Sequence, residues 1–357
     1  MSAGGTRSGG TRATFAPGVH RVLAPAKINL GLFLGPIRDS DGKHELVSVM
    51  QSISLADELT LEAAPAGSDR DQVICPGVSE ADGENLAAAA LHAFRDSTGW
   101  RAPPLRLSIV KRIPVAAGLG GGSADAAATL RLARHASGLG DEELLRTLGA
   151  RLGADVPAQI APGRWLASGA GEQLLELAPA RSRFGVLVLP LSAALSTAAV
   201  YAEAERLELA RSRRALEELR GQLQDALAHG AALPAATELL HNDLQRAAVS
   251  LCPEIVGALT QARDAGAEPA LVSGSGPTVL GIFPPARFPP ALFGPTVFAP
   301  GGAGGSADSG LMLARAAAAS LAERAPAPIY AAPVEGAFAR AVTLGPSADA
   351  GGRSVRA

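Results

Sequence analysis

Residues 114–125 read Pro114-Val115-Ala116-Ala117-Gly118-Leu119-Gly120-Gly121-Gly122-Ser123-Ala124-Asp125. Four of the five residues from Gly118 to Gly122 are glycine. Such a run takes positive φ with little strain and lets ligand atoms approach backbone N–H groups closely. Upstream, residues 105–111 alternate apolar and polar as a strand does, and downstream AAATLRLARHA continues as a helix. Strand, glycine loop and helix in that order expose the first N–H groups and the positive dipole end of the helix, an anion site suited to a polyphosphate. Ser123 stands where it can cap that helix or turn its hydroxyl to a phosphate or metal. The stretch is not a P-loop, which needs Gly-x4-Gly-Lys-Ser/Thr, and not the dinucleotide fingerprint Gly-x-Gly-x-x-Gly. A flexible linker would not be flanked by a strand and an Ala-rich helix.

Outward from the loop the chain alternates strands and helices. Strands are predicted over 22–33 and over 46–61 (one or two), a helix from Asn85 to about Phe94, a helix over 142–152 and a short strand over 164–167. RFGVLVLP over 183–190 reads as a buried strand, and a domain boundary falls near Arg181. Helices follow over 198–228 and 254–265, then a strand, a glycine turn and a strand in ALVSGSGPTVLGIF (270–283). A Pro/Gly-rich insertion covers 284–310, a last helix 311–323, and an edge strand 328–343. The organisation expected is therefore a disordered leader (1–19), a first domain (20–181), a second (182–345) and a disordered tail (346–357).

Composition narrows the function. The 357 residues exceed the roughly 250–300 at which single cores stop growing, which fits two domains. A formal net charge of -2 leaves no basic excess for nucleic acid or an anionic membrane. No apolar run reaches the ~18 residues of a membrane span, and the N-terminus lacks the apolar region of a secretory signal. Two distant cysteines, Cys75 and Cys252, argue against a disulfide framework and for a reducing, cytoplasmic setting. Of 32 basic residues only Lys27, Lys43 and Lys111 are lysines, in a sequence biased to Arg, Ala and Gly.

Pro25-Ala26-Lys27-Ile28-Asn29-Leu30, the loop 114–124 and Gly274-Ser275-Gly276-Pro277 resemble, in order, the three motifs of the GHMP kinase superfamily. Gly153-Ala154-Asp155-Val156-Pro157, Asp41-Gly42-Lys43-His44-Glu45-Leu46 and Asn242-Asp243-Leu244 narrow the resemblance to one branch of it. That branch phosphorylates the tertiary 2-hydroxyl of a cytidine-diphosphate-linked methylerythritol on the methylerythritol phosphate route to isoprenoids. The likeness covers roughly 22–345 apart from the insertion. It implies an α+β two-domain fold, a ribosomal-protein-S5-like first domain with an α+β second domain closing the cleft. It also implies ATP and Mg²⁺, a small-molecule substrate, no nucleic acid or membrane, and a monomer or weak homodimer.

Phosphoryl transfer needs positioning and charge stabilisation more than covalent help. The resemblance makes Asp155 the base at the acceptor hydroxyl, while Lys27 matches the family's catalytic lysine, an ammonium suited to stabilising developing charge. Taken alone, Gly-Ala-Asp also reads as a helix cap or turn, and Lys27 as a solvated strand-end charge. ATP falls to Pro114, Val115, Ala116, Ala117, Gly118, Leu119, Gly120, Gly121, Gly122, Ser123 and Ala124. The substrate falls to Asn29, Lys43, His44, Tyr201, Gly274, Ser275 and Gly276, with His44 at the cytosine edge and the Tyr201 ring on its face. Lys43 departs from the family's usual tyrosine, and a contact between its ammonium and the diphosphate is expected instead. No metal ligand is assigned, since Mg²⁺ can be held mainly by phosphates and water. Homoserine- and mevalonate-type kinases share the loop. They would lack the Asp-Gly-x-His block, and a mevalonate-type enzyme would offer a glutamate for Mg²⁺. A non-catalytic nucleotide- or RNA-binding protein would not need both Lys27 and Asp155, and an interaction protein has only the insertion to recommend it.

Overall fold

Two long strands carry the first half of the molecule: β1 (Val19–Ile37) and β2 (His44–Ala63), antiparallel neighbours. The computed structural model describes residues 15–78, 85–285, 309–323 and 326–344. Along β1 the apolar Ala26, Ile28 and Leu30 enter the core while Lys27 and Asn29 take the opposite face, as the period of two requires. Register shifts at Pro25/Lys27 and Asn29/Gly31 bend the strand there and re-aim both polar side chains.

β3 (Gln72–Ile74), α1 (Leu86–Thr98) and β4 (Leu105–Val110) follow, then α2 (Gly121–Ser137), α3 (Glu142–Leu152), α4 (Val156–Ile160), β5 (Arg164–Ser168) and β6 (Gln173–Glu176). Asn85 and Asp141 accept from the first-turn N–H groups of α1 and α3, so these helices begin where capping side chains stand. The first sheet runs β3-β4-β2-β1, with β5 and β6 continuing from the far stretch of β2. Helix α2 is buried over almost its whole length from Ala124 to Ala136, its many alanines allowing close approach to the sheet.

The second half holds β7 (Gly185–Leu189), α5 (Thr197–Arg206), α6 (Arg213–Leu227), α7 (Gln245–Leu251), α8 (Glu254–Asp264), β8 (Ala270–Val272), β9 (Val279–Phe283), α9 (Ser309–Ser320), β10 (Ile329–Ala331) and β11 (Val342–Leu344). A second sheet is ordered β10-β7-β9-β8. The stretch read as one helix over 198–228 is two. Glu208 has φ 54° and Ser212 caps α6. The break has a packing cause: Leu216, Leu223 and Leu227 of α6 face the first core, while Val200 and Ala204 of α5 face the second. The edge strand expected over 328–343 also divides. β10 joins the second sheet, whereas β11 returns to pair with β1, so the segment expected as the second domain ends in the first sheet. The leader up to residue 14, the insertion over 286–308 and the tail lie outside the described residues.

Candidate active site

A cleft of about 1730 Å³ opens between the two halves, beneath the glycine loop. Single-ligand pockets run to about 300–1,000 Å³, so this one has room for two substrates side by side. Lys27, Asn29, Asp155, Tyr201, Gly274 and Ser275 line one end. The loop residues from Pro114 to Ser123 line the middle, and β3 with the start of α1 lines the other end.

Helix α2 starts directly after Gly120, which is its N-cap at φ 67°. No side chain caps it, so its first N–H groups stay available for an anion. Of the two places open to Ser123 in the sequence, it does not take the cap; it sits in the first turn and lines the cleft. Ala117 and Leu119 are buried and anchor the loop, while Ala124 points into the core and does not line the cleft. Lys27 N–H donates to the Leu119 carbonyl at 3.0 Å, tying β1 to the loop. Gln159 donates to the Gly120 carbonyl at 3.0 Å from below.

Lys27 is 8% exposed. Its Nζ donates to Asn29 Oδ1 at 2.9 Å and lies 3.4 Å from Asp155 Oδ2. Asn29 Nδ2 in turn donates to Ser48 Oγ at 2.7 Å, and Ser48 to the Gly31 carbonyl at 2.7 Å. Lys27 is thus aimed by a chain of bonds, and it is not a solvated strand-end charge. Asp155 precedes α4, yet its carboxylate makes no capping bond and is 31% exposed to the cleft. Pro157 in the first turn of α4 fixes the backbone behind it.

At the other face of the same end, burial holds the Tyr201 phenol neutral, its pKa pushed up to about 12, with the Asp155 charge adding to the effect. Tyr201 lines the cleft and packs on His44, ring centroids 5.7 Å apart. His44 itself is buried. Its Nδ1 lies 2.7 Å from the Gly35 carbonyl and its Nε2 3.1 Å from Glu205 Oε1, so both ring nitrogens are engaged and the ring does not line the cleft. Lys43 occupies an exposed turn outside the lining, its N–H on Asp41 Oδ1. The contact expected between its ammonium and a diphosphate is not one this arrangement makes. Gly274 and Ser275 face the cleft, whereas Gly276 is buried behind them.

A second charged cluster braces the loop from outside the residues singled out in the sequence. Lys111 Nζ reaches Asp57 Oδ2 at 2.5 Å and Asp125 Oδ2 at 2.7 Å. Asp57 Oδ1 accepts from the N–H groups of Arg112 and Ile113. The chain entering the loop and the helix leaving it are therefore held by one lysine between two buried carboxylates. Burial pushes the Asp125 carboxyl up, Lys111 pulls it down and the Asp57 charge pushes it up again, which leaves it at about 7. Scarcity of lysine was the one sequence signal that could have pointed to Lys111. Asp57 and Asp125 lie in ordinary strand and helix contexts and carried none.

The donor set fits a metal brought in on a nucleotide. Among the described residues no group of three or more His, Cys, Asp or Glu converges as a metal cage. Mg²⁺ commonly binds through phosphates, waters and one or two protein oxygens. Ser123 and Asp155 both line the cleft, and each could offer one oxygen to such an ion.

The profile described as "GHMP kinases N terminal domain" matches residues 85–163, and that described as "GHMP kinases C terminal" matches residues 213–288. A 4-diphosphocytidyl-2-C-methyl-D-erythritol kinase of Anaeromyxobacter dehalogenans is 40% identical over 276 residues, 73% of this chain and 80% of that one. The enzyme of the same name from Streptomyces coelicolor is 42% identical over 273 residues, 74% of this chain and 88% of that one. Among solved structures, a 4-(cytidine 5'-diphospho)-2C-methyl-D-erythritol kinase superposes with a TM-score of 0.63 at 28% identity, covering 88% of this chain and 99% of its own. A homoserine kinase from Cytophaga hutchinsonii gives 0.60 at 15% identity over 91% and 97%, a likeness of fold alone.

Proposed function

The chain belongs to the 4-diphosphocytidyl-2-C-methyl-D-erythritol kinase family of GHMP kinases, and on that premise we propose that Lys27 and Asp155 form its catalytic pair. It is an ATP-dependent small-molecule kinase of the methylerythritol phosphate route to isoprenoids, and its acceptor is the 2-hydroxyl of the cytidyl compound. One observation carries the assignment: Lys27 Nζ stands 3.4 Å from an uncapped Asp155 carboxylate directly beneath the glycine loop.

The loop N–H groups and the N-terminus of α2 hold the polyphosphate, and their fixed dipoles need no reorganisation as charge develops on it. Asp155 orients the acceptor hydroxyl and takes its proton. Lys27, kept in place by Asn29, stands beside that carboxylate and faces the oxyanion formed. Mg²⁺, held by the phosphates with help from Ser123 or Asp155, supplies further neutralisation of phosphate charge when bound. Tyr201 offers its ring to the cytosine face, and Gly274 and Ser275 close over the reacting end from the second sheet.

Among the described residues no helix is long and apolar enough to cross a membrane, and both cysteines are free thiols, which suits the cytoplasm. The test is ADP release with ATP, Mg²⁺ and four acceptors: the cytidyl methylerythritol, its uridyl analogue, homoserine and mevalonate. Turnover confined to the cytidyl compound is expected. Turnover with another acceptor would overturn the substrate while keeping the kinase, and none with any would overturn the catalytic reading.

A further inference from the structure

The Asn242-Asp243 pair has so far been only a resemblance without a task. In the structure Asn242 is 3% exposed and every hydrogen-bonding group of its amide is used. Nδ2 donates to the Val272 carbonyl at 2.8 Å and to the Gly274 carbonyl at 2.7 Å. Oδ1 accepts from the Leu244 N–H at 2.9 Å. The backbone on either side is clipped to β1: Leu32 N–H donates to the His241 carbonyl at 2.8 Å and Asp243 N–H to the Leu32 carbonyl at 2.9 Å. Asp243 Oδ2 also accepts from the Leu34 N–H. One short segment thus joins the strand that carries Lys27 and Asn29 to the turn that faces them from the second sheet.

We propose that Asn242 is a positioning residue of the phosphoryl transfer, holding the Gly274 turn against Lys27 and Asn29 so that the cleft-lining backbone of Gly274 and Ser275 meets the reacting phosphate. The inference rests on the kinase reading of the cleft. Clearances show how closely the turn is set. A Cβ at Gly274 would lie 3.4 Å from Asn29 Oδ1, 3.4 Å from the Gly118 carbonyl and 3.6 Å from Lys27 Nζ. Ser273 Oγ donates to the same Gly118 carbonyl at 3.1 Å. Gly274 and Gly276 have φ of 55° and 80°, and a turn built on glycines has many alternatives unless something outside it selects one. The amide makes that selection. It alone offers two N–H donors to two carbonyls two residues apart while accepting from its own chain. Aspartate has the same shape but presents acceptors to both carbonyls, and alanine leaves both without that partner at a buried position.

The test uses the full chain with Asn242→Asp, Asn242→Ala and, as a control, Arg211→Ala. Arg211 chelates Asp243 from the outer side and lies over the Phe33 ring of β1, and its side-chain hydrogen bonds go to Asp243. Tm, kcat and both KM values are measured well below the lowest Tm. Displacing the turn by about 1 Å should lower kcat about 10²-fold in both Asn242 variants, while Arg211→Ala loses stability and keeps its kcat. Asn242→Asp should regain part of its kcat as the pH falls, because a protonated carboxyl recovers one donor. Wild-type kcat in the folded Asn242 variants, or a kcat loss that merely follows Tm across all three, would overturn the proposal. If the Asn242 variants do not fold, Ser273→Ala decides: a lowered kcat at near-wild-type Tm supports it and an unchanged kcat refutes it. Asp155→Asn runs alongside. If it loses turnover and the turn variants do not, this inference alone fails. If neither loses turnover, the catalytic reading fails and takes this inference with it.

Discussion

Replacing Gly118 by alanine tests how the two halves of the molecule meet at the phosphate loop. Gly118 has φ 72°, a conformation that costs an L-residue about 1–2 kcal/mol. Space is the larger obstacle. The added Cβ would lie 2.3 Å from the Ser273 carbonyl oxygen, 3.0 Å from that of Gly276 and 3.2 Å from the Gly276 nitrogen. All three are backbone atoms, so no side chain can swing aside. Reaching ordinary contact near 3.5 Å requires the loop and the turn to part by roughly 1 Å. Overpacking of this kind costs about 1–3 kcal/mol. The combined penalty of about 2–5 kcal/mol is a large share of a typical total stability of about 5–15 kcal/mol. The protein that stays folded should have its second-sheet turn displaced from Lys27, with turnover reduced about 10²-fold. Gly122→Ala is the matched comparison: its Cβ would meet only Leu86 Cδ1, at 3.7 Å, on an ordinary helical backbone. Its stability should hold or rise slightly, by up to the ~0.5–1 kcal/mol that alanine gains over glycine in a helix, with Tm following. Thermal unfolding and ADP release on both proteins decide the matter. A Gly118→Ala protein with wild-type Tm and turnover would mean that the loop and the turn are not packed together, and the geometry of the cleft would have to be redrawn.

Asp155→Asn should fold normally and lose turnover by about 10²–10⁴-fold, the range of a lost general base, and near-normal turnover would remove Asp155 from the chemistry. Tyr201→Ala should raise the acceptor KM about tenfold with a smaller change in kcat, since base–aromatic stacking contributes about 1–3 kcal/mol; an unaltered KM would place the base elsewhere. Lys43→Ala should leave that KM nearly unchanged because its side chain lies on an exposed turn outside the cleft, and a clear rise would show the turn closing over the diphosphate. Burial raises the Asp125 carboxyl from 3.8 to about 7, so the folded protein holds a proton there that the unfolded chain has released. That contribution is complete at low pH and is lost as the pH climbs through about 7. Asp125→Asn should therefore match the wild type in acid and gain on it in Tm as the pH rises, and parallel Tm-against-pH curves would refute the assignment.

Much of this was legible because it is local. The glycine loop, the segment around Lys27 and the segment around Asp155 are contiguous strings whose residue types state their own requirements: positive φ, free N–H groups, a polar pair on one face of a strand. Together with the strings 41–46, 242–244 and 274–277, in order along the chain, they carry the family resemblance. The start of α1 was also legible, since Asn85 is a capping residue. What the sequence could not decide is whatever depends on distance across the fold. The 3.4 Å between Lys27 and Asp155 is set by the bulged register of β1 and the placement of α4, neither of which periodicity reveals. The break between α5 and α6 arises because two cores claim different faces, and a propensity reading over 198–228 sees only continuous helix formers. Lys111 became the brace of the loop, and Asn242 the link between β1 and the Gly274 turn, only when the chain brought carboxylates and carbonyls from distant segments to them. His44 and Lys43 are neighbours in one motif, yet packing buried one beneath Tyr201 and left the other in solvent. Chemistry that resides in a side chain and its immediate neighbours is written in the chain, while chemistry that resides in which groups meet is fixed by sheet register and core packing, which are properties of the whole.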